Sequence, residues 1–124
     1  MLEFLAVAGA AFSALPGVTE AMMHPVKMIL TYDIRPDIQD RYYQFMLGEM
    51  VPTLNTIGLS MSGAWHTAYG NYPARLVEFV AEDRATLERV IASETYERLE
   101  QELQQYVLNY QRKSVPLREN LFQF

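Results

Sequence analysis

Glu78 stands among apolar neighbours in the run Arg75-Leu76-Val77-Glu78-Phe79-Val80, where a carboxylate is out of the ordinary. A carboxyl group set in apolar strand surroundings is a candidate general base, because burial moves such groups toward useful acid–base values. His66, in Gly63-Ala64-Trp65-His66-Thr67, is the second candidate for proton transfer. Trp65, Thr67 and Tyr69 alternate along the same stretch and would offer a stacking ring and hydroxyls to a bound molecule. Tyr32, in Thr31-Tyr32-Asp33, could add a further hydroxyl. Each has a plainer role as well. Trp65 would serve as an interface or core aromatic, and Glu78 as the partner of Lys27, Arg75 or an arginine of a second copy. His66 would pack with one hydrogen bond, and Tyr32 would be a core tyrosine with a wet tip.

Other chemistries fall away on residue type. The chain has no cysteine, which excludes thiolate nucleophiles, disulfides and cysteine zinc sites. Its two histidines, His24 and His66, stand far apart, so no His-pair metal motif exists and no metal site is expected. The net charge of -5 and the scatter of ten Lys plus Arg leave no basic stripe for a nucleic-acid backbone. With 124 residues, half of them hydrophobic and 20% charged, the chain suits one globular core.

Strands and helices must position these side chains. Val26 to Ile34 alternates as a strand with both faces partly buried, and Arg35-Pro36-Asp37 stops it. From Ile38 the apolar positions Tyr42, Phe45, Met46, Met50, Leu54 and Ile57 keep helical steps; Pro52 should kink or split that helix and Gly58 end it. Leu59–Tyr69 and Arg75–Glu82 read as strands joined by the turn Gly70-Asn71-Tyr72-Pro73. Asp83 caps a short helix and Ser93 a longer one, whose stripe Tyr96, Leu99, Leu103, Tyr106, Val107 and Tyr110 ends at Arg112 and Lys113. Val115–Phe124 reads as a final strand, demoted to an edge by Pro116. Strand–helix–strand–strand–helix–strand predicts an α+β, ferredoxin-like sandwich with a four-stranded antiparallel sheet.

Residues 1–22 form an apolar extension and 23–124 the single ferredoxin-like domain. The extension reads as a dispensable segment ahead of a start at Met22 or Met23, as a short docking helix, or as a secretory signal. Glu3 and the lack of Lys or Arg weigh against the signal. Pro16-Gly17 breaks the run before the roughly twenty apolar residues a membrane span needs. A cytoplasmic location is expected.

Thr31-Tyr32-Asp33-Ile34-Arg35-Pro36, then Gly63-Ala64-Trp65, the Gly70 turn and Val80-Ala81-Glu82-Asp83, resemble the NIPSNAP-type branch of the dimeric α+β barrel superfamily. The resemblance spans about Val26 to Phe124. It implies a homodimer whose sheets face each other around a shared pocket, in a superfamily that includes cofactor-independent monooxygenases, haem-degrading enzymes and binding proteins. The Asn–Trp–His set of the haem-degrading members is not matched, since Asn55 falls in the first helix and Asn71 in the turn. No cofactor is expected. The partners expected are a second copy and a small hydrophobic ligand.

Trp65 and His66 must face opposite sides of the sheet. A two-residue loop at Asn71-Tyr72 would set Trp65 opposite Glu78, Thr67 opposite Leu76 and His66 opposite Val77; an odd loop would set His66 opposite Glu78. The even register is the expectation, with Ala64, Ala68, Val77 and Phe79 under the helices and Trp65, Thr67, Tyr69 and Glu78 on the other face. Two functions compete. One is a pocket between the sheets, binding a small molecule or supporting cofactor-free oxygen or proton chemistry. The other is a dimerisation or interaction module whose barrel is filled by methionines and aromatics.

Overall fold

The computed structural model describes residues 24–67 and 74–116. β1 (Val26–Ile34) leads through a 3-10 turn (Pro36–Ile38) into α1 (Gln39–Phe45), a π-helical turn (Met46–Met50) and α2 (Val51–Ile57). β2 (Ser60–Thr67), β3 (Ala74–Ala81), α3 (Arg84–Ile91), α4 (Glu94–Leu103) and β4 (Val107–Pro116) follow. The strands form one antiparallel sheet in the order β2-β3-β1-β4. This is the ferredoxin-like arrangement that the sequence predicts.

Local chemistry sets the boundaries. Pro52 has no N–H, and its ring would crowd the carbonyl four residues back in a regular helix. The π turn ahead of it widens the backbone, with the Val51 N–H donating to the Met46 carbonyl, five residues back. Pro52 therefore splits the helix into α1 and α2. Gly58 closes α2 at φ 122, a conformation that suits glycine alone, and a Cβ there would lie 2.8 Å from Thr86 Cγ2. The expected caps form: the Thr86 N–H donates to Asp83 Oδ1 at 2.8 Å, and the Tyr96 N–H to Ser93 Oγ at 3.1 Å.

The end of the chain departs from expectation. α4 stops at Leu103, not beyond Tyr110. Tight bonds from the Gln105 N–H to the Glu102 carbonyl (3.0 Å) and from the Tyr106 N–H to the Leu103 carbonyl (2.9 Å) turn the chain. Val107, Tyr110, Arg112 and Lys113 belong to β4, which begins at Val107, eight residues ahead of the expected strand start at Val115. No glycine or proline marks the break, and Tyr106, Val107 and Tyr110 happen to keep helical spacing. The free edge of β1 decides the matter, because pairing with β4 satisfies its backbone groups from Val26 to Ile34. Pro116 then sits on an edge strand, where a missing N–H is tolerated.

The core lies under one face of the sheet. Val26, Met28, Leu30 and Tyr32 of β1 and Val77, Phe79 and Ala81 of β3 are buried there against residues such as Tyr42, Met50, Leu54, Leu87, Leu99 and Leu103 of the helical layer. Among the described residues no helix is long and apolar enough to cross a membrane.

Candidate functional site

Register decides which side chains share a face. Between β2 and β3, Ser60 pairs with Val80 and Met61 with Phe79, and the register then shifts so that Gly63 pairs with Glu78, Trp65 with Leu76 and His66 with Arg75. The extra residue is Ser62, a β-bulge. Continued without it, the pairing would set Trp65 opposite Arg75 under the helices and turn His66 to the other side. The bulge therefore assigns Trp65 to the face away from the helices and His66 to the face beneath them. Among the described residues the expected grouping of faces holds, while the pairing lies two residues from the expected one: Trp65 faces Leu76, not Glu78.

On the face away from the helices, Lys27 and Glu78 are 8% and 9% exposed, and Lys27 Nζ lies 2.7 Å from Glu78 Oε2. The two are diagonal neighbours, since Glu78 pairs with Ile29 and Lys27 with Val80. A carboxylate gripped by an ammonium at this distance already has its partner, and the contact is a charge-assisted hydrogen bond. Trp65 is 53% exposed. Its ring folds back over Gly63, where an added Cβ would lie 2.5 Å from Trp65 Cη2. Glycine at 63 is what lets the indole lie against the sheet beside the ion pair. Half-buried Ile29, Thr31, Leu76 and Val80 share this face, together with Leu108, which is 49% exposed.

The helix-covered face holds a second cluster that the sequence did not single out. The Tyr32 and Tyr42 hydroxyls lie 2.5 Å apart, buried between β1 and α1. Tyr32 stacks on Tyr110 at 6.3 Å, brought there by a bulge in β4 at Asn109, whose φ is 56. Tyr110 donates to Glu100 Oε2 at 2.6 Å, as does Arg112 at 2.7 Å and Tyr96 at 3.2 Å. At the other end the Arg75 guanidinium lies 5.5 Å from the centre of the Tyr43 ring. Burial pushes the Tyr32 hydroxyl above the ordinary tyrosine range, with Tyr42 adding to the shift and Arg75 opposing it. Burial raises Tyr42 as well, against the Tyr32 hydrogen bond and the charge of Arg75.

The structure thus divides the residues that the sequence nominated. Trp65 and Glu78 share the face away from the helices, adjacent rather than opposite. His66 is exposed on the other face, across from Arg75, and Tyr32 is buried in the core, so neither joins Glu78 in one site. Thr67 pairs with Ala74 at the end of β2, while Tyr69 and Ala68 lie outside the described residues. Glu78 has the lysine partner anticipated as its plainer role. Arg75 is read from the sequence only as a partner for Glu78 and Tyr42 only as part of a helix stripe, because nothing local signals the meeting of β3, β1 and α1. Among the described residues no group of three or more His, Asp or Glu side chains is gathered as a metal site.

No family model and no curated protein matches this chain in sequence. Solved structures do match its fold. An uncharacterised NIPSNAP-like domain protein from Burkholderia xenovorans superposes with a TM-score of 0.58 at 16% identity, over 79% of this chain and 89% of that one. A NIPSNAP family protein from Agrobacterium tumefaciens gives 0.58 at 14% identity, over 78% and 89%. A protein provisionally assigned as an antibiotic biosynthesis monooxygenase, from Nitrosomonas europaea, gives 0.55 at 10% identity, over 76% and 88%. The chain has the fold of these NIPSNAP-type structures, the one its sequence resembles.

Proposed function

We propose that this protein is a homodimeric α+β barrel that binds a small planar apolar molecule between its two sheets, with the Trp65 indole as the stacking surface. The observation that carries this reading is the indole itself, half exposed and laid over Gly63 next to a satisfied Lys27–Glu78 pair. Apolar faces of this kind mark interaction sites, and facing a second copy would cover Ile29, Leu76, Val80 and Leu108. Binding fits the site better than proton transfer, because Lys27 already holds the carboxylate that would have to act as base.

A filled barrel, acting only as a dimerisation module, is the second reading. The same closed ion pair favours it, since Lys27 and Glu78, the buried charged residues among those described, are already spent on each other. Trp65 is the single tryptophan of the chain, so its fluorescence reports on this position alone. Energy transfer from Trp65 to anilinonaphthalene sulfonate separates the readings. Saturable transfer at a fixed ratio of probe to dimer, lost in Trp65→Leu by direct probe fluorescence, supports binding. A dimer with blue-shifted emission and no saturable uptake refutes it in favour of the filled barrel.

A further inference from the structure

We propose that the hollow at the end of α2 takes a free α-amino acid, holding its carboxylate at Arg89 and its ammonium at Glu82. This hollow, about 710 Å³, is built within one chain where α2, β2, β3 and α3 meet. Its volume falls in the range of small-molecule sites. Asn55, Ile57, Gly58, Ser60, Glu82 and Arg89 line it, and most of them are exposed, so a small molecule reaches it directly from solvent. It lies at the opposite end of β3 from Leu76, the partner of Trp65, and does not depend on a second copy.

Opposite charges border this space without closing on each other. Arg35, Arg98, Arg112 and Lys27 each pair with an acidic side chain, whereas Glu82 and Arg89 have no charged partner among the described residues. The backbone strengthens the side that takes a cation. The N–H groups of Gly58 and Leu59 both donate to the Leu54 carbonyl, at 3.1 and 2.8 Å, so the later carbonyls, Asn55 to Ile57, gain no bond from them. Those carbonyls project from the negative end of α2, which favours an ammonium. Ser60 Oγ donates to Asn55 Oδ1 at 3.2 Å, which leaves the Asn55 amide N–H groups as neutral donors. Gly58 keeps the floor low, since an added Cβ would lie 2.8 Å from Thr86 Cγ2 and 3.6 Å from Arg89 Nη2. A lone anion would meet Glu82 and a lone cation would meet Arg89. A zwitterion answers both: its carboxylate suits the guanidinium fork, and its ammonium suits Glu82 and the helix carbonyls. Ile57 and Val80 remain as apolar wall for its side chain.

The test follows the Asn55 side-chain amide and the Gly58 N–H by NMR in the full chain during titration with L-leucine. N-acetyl-L-leucine, which lacks the ammonium, and L-leucinamide, which lacks the carboxylate, are the single-charge analogues. Saturable leucine-dependent shifts of both signals are expected. Each analogue should bind at least about tenfold more weakly, the loss expected for a charge-assisted contact. Arg89→Gln and Glu82→Gln should each weaken leucine by a similar factor. The preference for leucine over N-acetyl-leucine should vanish in Glu82→Gln, and that over leucinamide in Arg89→Gln. Both side chains are exposed, so these variants keep the fold. Signals that leucine does not move, an analogue bound as tightly as leucine, or an affinity unchanged in either variant would overturn the proposal.

Discussion

Replacing Lys27 with methionine leaves the Glu78 carboxylate, 9% exposed, without the ammonium that holds it. At the observed 2.7 Å separation two unit charges attract by about 6 kcal/mol at an effective dielectric near 20. Withdrawing each ion from water costs several kcal/mol, so the intact pair stands close to balance. Removing one partner is a different matter, because the remaining charge keeps its desolvation cost and loses its compensation. Lys27→Met should therefore destabilise the fold by about 3–5 kcal/mol. Glu78→Gln keeps an acceptor for the ammonium and should cost less, about 1–3 kcal/mol. The double variant Lys27→Met/Glu78→Leu replaces the pair by apolar groups and should lie within about 1 kcal/mol of wild type or above it. Urea denaturation followed by circular dichroism at several protein concentrations measures all three. A Lys27→Met cost below about 1 kcal/mol, or a double variant as unstable as the single, would show that water or another group already serves Glu78.

Further outcomes follow from the same geometry. Gly63→Ala should lift the indole, since the new Cβ would lie 2.5 Å from Trp65 Cη2, and should cost about 1–3 kcal/mol; an unchanged Trp65 emission maximum would contradict this. Tyr32, Tyr42, Tyr96 and Tyr110 are raised above the ordinary tyrosine value of 10.0, chiefly by burial. Above about pH 10 the unfolded chain then binds fewer protons than the native one, so their contribution is full below that pH and is lost as pH rises past it. Tyrosinate absorbance should therefore rise in two stages, the second coinciding with loss of circular dichroism; full ionisation of all eight tyrosines in a still-folded protein is the opposing result. Removal of residues 1–21 should lower the melting temperature by less than about ten degrees, because the core closes within β1 to β4. A larger drop would mean that this segment is part of the domain.

Much of the fold was legible from local chemistry. Alternation in Val26–Ile34, the Asp83 and Ser93 caps, and Gly58 and Pro52 each carry a physical instruction that the structure obeys. Counting parity from the hairpin side placed Trp65 and Glu78 on one face correctly, because the bulge at Ser62 lies beyond Trp65 and does not disturb that count. The pairing itself was not legible, since a loop of even length can be centred on more than one dipeptide. Nor was the α4–β4 boundary, where helical spacing persists into residues that pair with β1. The Arg75–Tyr42–Tyr32 cluster has no local signature at all: its members come from three elements, and tertiary packing alone brings them together.

The central claim is that the face bearing Trp65 is covered by a second copy. Light scattering across the micromolar range, on wild type and on Trp65→Glu, tests it most directly. The account predicts a dimer for wild type and a folded monomer for the variant, with the circular dichroism of the two superimposable. A wild type that stays monomeric at every concentration, or a Trp65→Glu protein that dimerises as tightly, would contradict it.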